Sequence, residues 1–252
     1  IIKIMSDIDL RLEKLTDVLK KSLKAVEIKK TKESNKTVLN LWPSHTLKEI
    51  LANPLFYKQA ITPPSPMTSA QFFNSLKSAK VPLEIIDQLA LVNVDFRGFN
   101  DLIYQGQTIV HKDLAHSIKR VFERIIEETD FPVTGVFPSI RFNWKASRYN
   151  VCEAFDWRFV ENTKEISDHA FGAAIDINRL LNPWVRKGKL NTPNRPYNPR
   201  KRGALHANSK VVRIFKEEGW KWGGDWKISK DRMHFYRPEI PHKYYGKIEA
   251  KE

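Results

Sequence analysis

Two histidines and two aspartates carry most of the chemistry that this chain of 252 residues can offer. His169 and Asp176 fall in one run, Ser167-Asp168-His169-Ala170-Phe171-Gly172-Ala173-Ala174-Ile175-Asp176. A second cluster lies far downstream: Gly223-Gly224-Asp225-Trp226, then Asp231-Arg232-Met233-His234-Phe235. Together they offer His169, Asp176 and His234 as three metal ligands, with Asp231 as a further carboxylate close to the last of them. Three protein ligands leave a fourth position open for the water that a catalytic zinc activates. A structural zinc favours four cysteine-rich ligands, and Cys152 is the only cysteine here. The pattern therefore points to a hydrolase with Zn2+ as cofactor.

Each residue also has a plainer reading. Asp176 sits in an apolar run, where an unpaired charge is costly, so it requires a cation: a metal, or an arginine such as Arg179. A single buried histidine is commonly a satisfied core residue, and only the joint pattern makes His234 the third ligand. The tautomer of His169 should be set by a neighbouring acceptor. Gly172 permits a close backbone approach or a positive φ. Asp225 rivals Asp231, but the adjacent Gly-Gly turn marks it as a loop acid. His45, His111, His116, His206 and His242 have no partner at ligand spacing and read as surface or packing residues.

The elements that must position these groups follow from periodicity. Ile8, Leu12, Leu15, Leu19, Leu23 and Val26 mark one face of a helix over residues 7–28, and Lys29 to Asn40 reads as a polar linker. Residues 1–40 are thus an amphipathic helix and linker. Residues 41–80, with the breaker run Thr62-Pro63-Pro64-Ser65-Pro66, form an irregular, partly helical wrapping segment. From 81 onward the pattern sharpens. Pro82 suits a first helical turn, Val92 and Val94 a short strand, and Gln107 to Val110 another. Ala115, Ile118, Phe122, Ile125 and Ile126 line a helix from about 112 to 129. Ala173 to Ile177 reads as a strand. Val211, Val212 and Phe215 lie on a helix that Gly219 stops. Trp220, Trp222 and His234 to Tyr236 read as strands of one sheet. The expected fold is α+β: a small antiparallel sheet flanked by helices, a zinc site at one end, and a helical N-terminal extension.

Size and charge set further bounds. The chain is long enough for one substantial core with a short appendage. Lys and Arg number 43 against 29 acids, a formal net charge of +14. That excess suits a polyanionic partner, such as an acidic cell-wall polymer, or simply a soluble surface. No basic stretch is interleaved with aromatics as in a nucleic-acid module, so nucleic acid is not the expected partner. No apolar run is long enough for a membrane span. The lone Cys152 makes no intrachain disulfide and reads as a buried small hydrophobe. The chain does not begin with Met, so a leader is neither shown nor excluded.

The string Ser167-x-His169-x-x-Gly172-x-Ala174-x-Asp176 resembles zinc D-alanyl-D-alanine carboxypeptidases and L-alanyl-D-glutamate endopeptidases of peptidoglycan. Trp220-x-Trp222-Gly223-Gly224-x-Trp226, followed by Asp231-x-x-His234-Phe235, is similar to their second motif. The likeness runs between them through Asn178, Asn182-Pro183 and Gly219-Trp220. It covers residues 90–240, makes 81–252 a zinc peptidase domain and leaves the first eighty residues unexplained. It implies His169, Asp176 and His234 as zinc ligands and Asp231 as the catalytic carboxylate, which would take a proton from the attacking water and return it to the leaving amine. Many relatives carry Glu where this chain has Asp231.

The same resemblance matches Arg158 to an arginine that helps hold the substrate's carboxylate or carbonyl, a task suited to a planar charged fork; the alternative is an ion pair to Asp156 or Glu161. Ser167 reads as a hydrogen-bonding group beside the ligands, on the substrate side. Trp226 and Trp222 would line a peptide groove or anchor the core. The stretch Ser147 to Ala154 departs from the family's Ser- and Asn-rich pattern, which bears on the substrate subsite. The expected partners are peptidoglycan peptides, in the cell envelope, periplasmic or extracellular. Either bond type is open, with Trp-Gly-Gly-x-Trp and Asn-Pro leaning toward the endopeptidases. A competing reading is a catalytically silent zinc-bearing module that binds cell wall or ligand, as the signalling domain of hedgehog proteins, which shares this fold, illustrates.

Overall fold

A computed structural model describes residues 27–29, 38–40, 66–138, 140, 151–186, 189–190, 197–242 and 244. Strands β1 (Glu27–Lys29) and β2 (Val38–Asn40) pair antiparallel, Ile28 opposite Leu39. Most of the helix expected over 7–28 lies outside the described residues. Its last two positions, Glu27 and Ile28, are extended instead, and the presumed linker supplies their partner strand. A helical period within one segment cannot register a pairing partner ten residues on.

Helix α1 (Ser69–Ser78) begins with a full capping box: the Thr68 hydroxyl accepts from the Gln71 backbone, and the Gln71 side chain accepts from the Thr68 backbone. It buries Phe72 and Leu76, one turn apart. Pro82 sits one position ahead of the short α2 (Leu83–Ile86), at its N-cap. Strands β3 (Leu89–Arg97) and β4 (Ile103–His111) form a regular antiparallel hairpin, Leu89 opposite His111 and Arg97 opposite Ile103. Helix α3 (Ala115–Glu128) buries Ile118, Val121, Phe122, Ile125 and Ile126.

The site is organised by a separate three-stranded antiparallel sheet. Strand β5 (Ala174–Asp176) lies beside β10 (His234–Tyr236), which lies beside β8 (Lys221–Trp222). A further small sheet joins β6 (Trp184–Arg186), β7 (Lys189–Leu190) and β9 (Ser229–Asp231) in the order β7-β6-β9. The α+β class is as expected, with the antiparallel pairing divided among four small sheets in the described residues rather than gathered into one. Helix α4 (Lys210–Glu217) packs behind the central sheet, and Gly219 at φ +85° turns the chain into β8. Phe215 of α4 stacks on Phe235 of β10 with centroids 3.8 Å apart, and Trp220 meets Phe215 edge-on at 5.9 Å. That aromatic block holds β10 rigidly where it carries His234. A short helix, α5 (Glu239–His242), follows.

Directly after β5, two buried amides hold the chain. Asn178, at φ +46°, donates to the carbonyls of Pro132 and Gly203 and accepts from the Thr134 backbone. Asn182 donates to Ile177, Asn178 and Gly203 and accepts from Leu205. Full satisfaction is what a buried carboxamide demands, and it pins the exit of the strand that carries Asp176.

Candidate metal centre

The first histidine stands on a single tight turn, Asp168–Phe171. Ser167 caps that turn, its hydroxyl accepting from the His169 backbone N–H at 3.3 Å. Gly172 closes it at φ +62°, ψ +22°. A Cβ there would come within 2.5 Å of the His111 backbone nitrogen, so both the left-handed conformation and the close approach require glycine. The chain then reverses into β5, which ends on Asp176.

Across the sheet, His234 is directly opposite Asp176 in the antiparallel register. The pairing brings His234 Nδ1 to 3.1 Å from Asp176 Oδ1, while His169 Nε2 reaches the same oxygen at 3.4 Å. One donor atom from each of the three residues lies within 4.8 Å of the others. All three side chains are buried. The backbone carbonyl of Ala154 lies 2.8 Å from His169 Nδ1. A carbonyl only accepts, so Nδ1 carries the proton and Nε2 presents its lone pair to the cluster.

Electrostatics show a demand for positive charge at the centre. Burial pushes the Asp176 carboxyl up, yet the charges and hydrogen bonds of His169 and His234 outweigh it and hold it well below the usual carboxylate range. Burial disfavours charge on His169 as well, but Asp176 overrides it and raises the imidazole. Ala174, Ile175 and Ile177 around the carboxylate are fully buried. Two imidazoles and a carboxylate, enclosed and converging with a fixed tautomer, are a donor set that fits zinc. Arg179, the other partner considered for Asp176, reaches only its outer oxygen, Nη1 lying 4.0 Å from Oδ2.

Asp231 ends β9 opposite Trp184. Gly223 makes room for it: a Cβ at 223 would meet the Asp231 carbonyl at 2.6 Å and its Cβ at 3.0 Å. The Trp222 indole donates to the Arg232 carbonyl at 2.8 Å and fixes the next residue. Asp231 Oδ1 is buried and has no hydrogen-bond partner among the described residues. Burial first, and the charge of Asp176 second, push its carboxyl up to about 6. Asp225, the rival acid, is exposed and pairs with Lys216 of α4 at 2.7 Å.

The remaining positions divide. Trp222 is a core anchor. Trp226 is only partly buried; its indole donates to the Tyr236 hydroxyl at 2.9 Å, and its ring lies 5.7 Å from the His234 ring, so it forms a wall beside the cluster. Arg158 makes the alternative contact, Nε to Asp156 Oδ2 at 2.9 Å, although its charge is felt at His169. Ser167 engages the turn that carries His169. Cys152 is buried, as a small hydrophobe should be. His111 is also buried, its Nε2 2.9 Å from the Tyr244 hydroxyl. The Ala154 carbonyl escaped sequence reading because a backbone group leaves no trace in residue type.

Residues 161–237 match the family model described as D-alanyl-D-alanine carboxypeptidase. The matched segment contains the turn of His169, all of β5, and the run from Gly223 to His234. No curated protein and no solved structure matches the chain.

Proposed function

From the match of residues 161–237 to the D-alanyl-D-alanine carboxypeptidase family model, we propose that this chain is a zinc peptidase that hydrolyses a peptide bond in peptidoglycan stem peptides. The observation that carries the reading is the pairing of three converging buried donors with a buried, unpartnered carboxylate oxygen on Asp231. A purely structural metal site has no use for that fourth group. Peptide hydrolysis needs it, because a proton must leave the attacking water and reach the departing amine.

His169, Asp176 and His234 would hold the ion, which when bound acidifies a water and polarises the scissile carbonyl. Asp176 supplies Oδ1 between the two imidazoles. The Ala154 carbonyl keeps His169 in the tautomer whose Nε2 is free. Asp231 takes the proton on Oδ1 and passes it to the amine; its raised affinity for protons suits both halves of the task. Trp226 and Tyr236 wall the approach to His234. The half-exposed Arg158 orients a carbonyl or carboxylate of the substrate after releasing Asp156.

The net charge of +14 favours accumulation on anionic cell-wall polymers, in a periplasmic or extracellular setting. No helix of the described residues is long and apolar enough to cross a membrane. Mass spectrometry of peptidoglycan digested by the zinc-loaded protein tests the reading: new termini identify the bond as D-Ala-D-Ala or L-Ala-D-Glu. Retention of muropeptides without any new amine would instead establish a silent binding module.

A further inference from the structure

Only Arg232 and Met233 separate Asp231, the last residue of β9, from His234, the first of β10. The path of this short link therefore sets how the acid stands relative to the metal donors. Both of its carbonyls are taken by neighbours of the site. The Trp222 indole donates to that of Arg232 at 2.8 Å, and the backbone N–H of Ile177, directly after Asp176, donates to that of Met233 at 3.0 Å. The Met233 side chain is buried. That of Arg232 lies on the Tyr197 ring, its guanidinium carbon 4.1 Å from the ring centroid.

Arg232 Nη1 is buried and meets no hydrogen-bond acceptor among the described residues. A cation shut from water is costly unless something electron-rich faces it, and an aromatic face supplies that without a carboxylate. Tyr197 is itself tied down. Its hydroxyl donates to the Leu205 carbonyl at 2.7 Å, the Leu205 N–H donates to Asn182 Oδ1 at 2.6 Å, and Asn182 Nδ2 donates to the Ile177 carbonyl at 3.0 Å. Ile177 thus stands at both ends of a closed circuit. Its N–H holds Met233, and its carbonyl starts a chain of contacts that returns to Arg232 through Tyr197. The Arg232–Tyr197 stack is the one contact in that circuit made by two side chains, so substitution can remove it and leave the others in place.

Resting on the peptidase reading, we infer that Arg232, stacked on Tyr197, is a positioning residue that fixes Asp231 relative to the three metal donors. It acts through the link and not on the reacting atoms. His234 has its own support, because Phe235 beside it stacks on Phe215 with centroids 3.8 Å apart. Loosening the link therefore lets Asp231 swing while the donor set stays whole.

The test uses the full zinc-loaded chain with Arg232→Met, Arg232→Lys, Tyr197→Leu, and Arg232→Met combined with Asp231→Asn. Zinc content, kcat and KM on a synthetic stem peptide are measured, together with hydrogen exchange by NMR. Arg232→Met and Tyr197→Leu should each lower kcat about ten-fold or more, the scale of a small misplacement of a reacting group. KM and zinc content should not change. In both variants the Trp222 indole N–H and the Ile177 N–H should exchange about ten-fold faster, while the amides of α3 exchange as in the wild type. Arg232→Lys keeps a cation on the ring and should recover part of both effects. With Asp231→Asn already present, Arg232→Met should cost nothing further in kcat, because its effect passes through that carboxylate. A further fall in that background, a raised KM, lost zinc, or unchanged kcat or exchange in Arg232→Met overturns the assignment. If the wild type releases no new amine from peptidoglycan, the peptidase reading fails, and exchange and zinc content still decide whether Arg232 fixes the link.

Discussion

His234 faces Asp176 squarely across the β5–β10 pair, Nδ1 3.1 Å from Oδ1, while His169 approaches the same oxygen from the turn that precedes β5. The two strand residues are held by sheet register and the third by a glycine-closed turn, so the backbone alone brings the three donors together. His169→Ala and Asp176→Asn should each fail to retain stoichiometric zinc after dialysis, measured by atomic absorption. In the wild type, chelation should lower the melting temperature. An ion held at one hundred times its dissociation constant contributes about 2.7 kcal/mol to the folded state.

Asp231→Asn keeps the shape of the side chain and removes its proton affinity. Zinc content should match the wild type while the hydrolysis rate falls by about 10²- to 10⁴-fold, the usual range for losing a general acid-base group. Full activity in this variant would refute the role given to Asp231.

Gly223 separates support for Asp231 from its chemistry. A methyl at this position meets the Asp231 carbonyl at 2.6 Å, so β9 must shift away. Gly223→Ala should therefore lower kcat by about ten-fold or more, since small misplacements of a reacting group are costly. Zinc binding should survive, because none of the three donors is on β9. Parallel metal titration and steady-state kinetics check this.

A pH dependence of stability follows from the seam between α3 and α4. Glu218 receives Arg120 at 2.7 Å and 2.9 Å and Arg124 at 3.5 Å. The hydrogen bond from Arg120, outweighing burial, lowers its carboxyl below the ordinary value. A carboxylate with a lowered folded-state pKa adds stability above its unfolded value, and loses it as pH falls through the folded one. Glu218→Gln should thus destabilise by about 0.5–1 kcal/mol at neutral pH, a figure kept small by the half-exposed Arg120. The difference from the wild type should vanish in acid below the carboxylate range. Urea melts across pH read it directly.

Much of this was legible in the chain. The apolar periods of α3 and α4, the stop at Gly219, the alternation at Val92 and Val94 and the short strand run Gln107 to Val110 are local signals, and the structure reproduces them within longer strands. So are the residue types in the two motifs: His169, Asp176 and His234 are groups that can bind a metal, and the structure brings them together. The strand at Glu27–Lys29 was not legible, because pairing with Val38–Asn40 overrode the helical period that runs into it.

Residue type and short-range spacing determined which reactive groups this protein carries; the tertiary structure decided where they are placed. Fifty-eight positions separate Asp176 from His234, and no period within either segment specifies that they oppose one another. That register comes from burying Phe235 against Phe215 and Trp222, which leaves β10 one way to lie beside β5. Packing likewise chose the Ala154 carbonyl to set the His169 tautomer and buried Asp231 in preference to Asp225. These are long-range outcomes, decided by which surfaces exclude water together, and such terms are summed over the whole fold rather than written in any one stretch of chain.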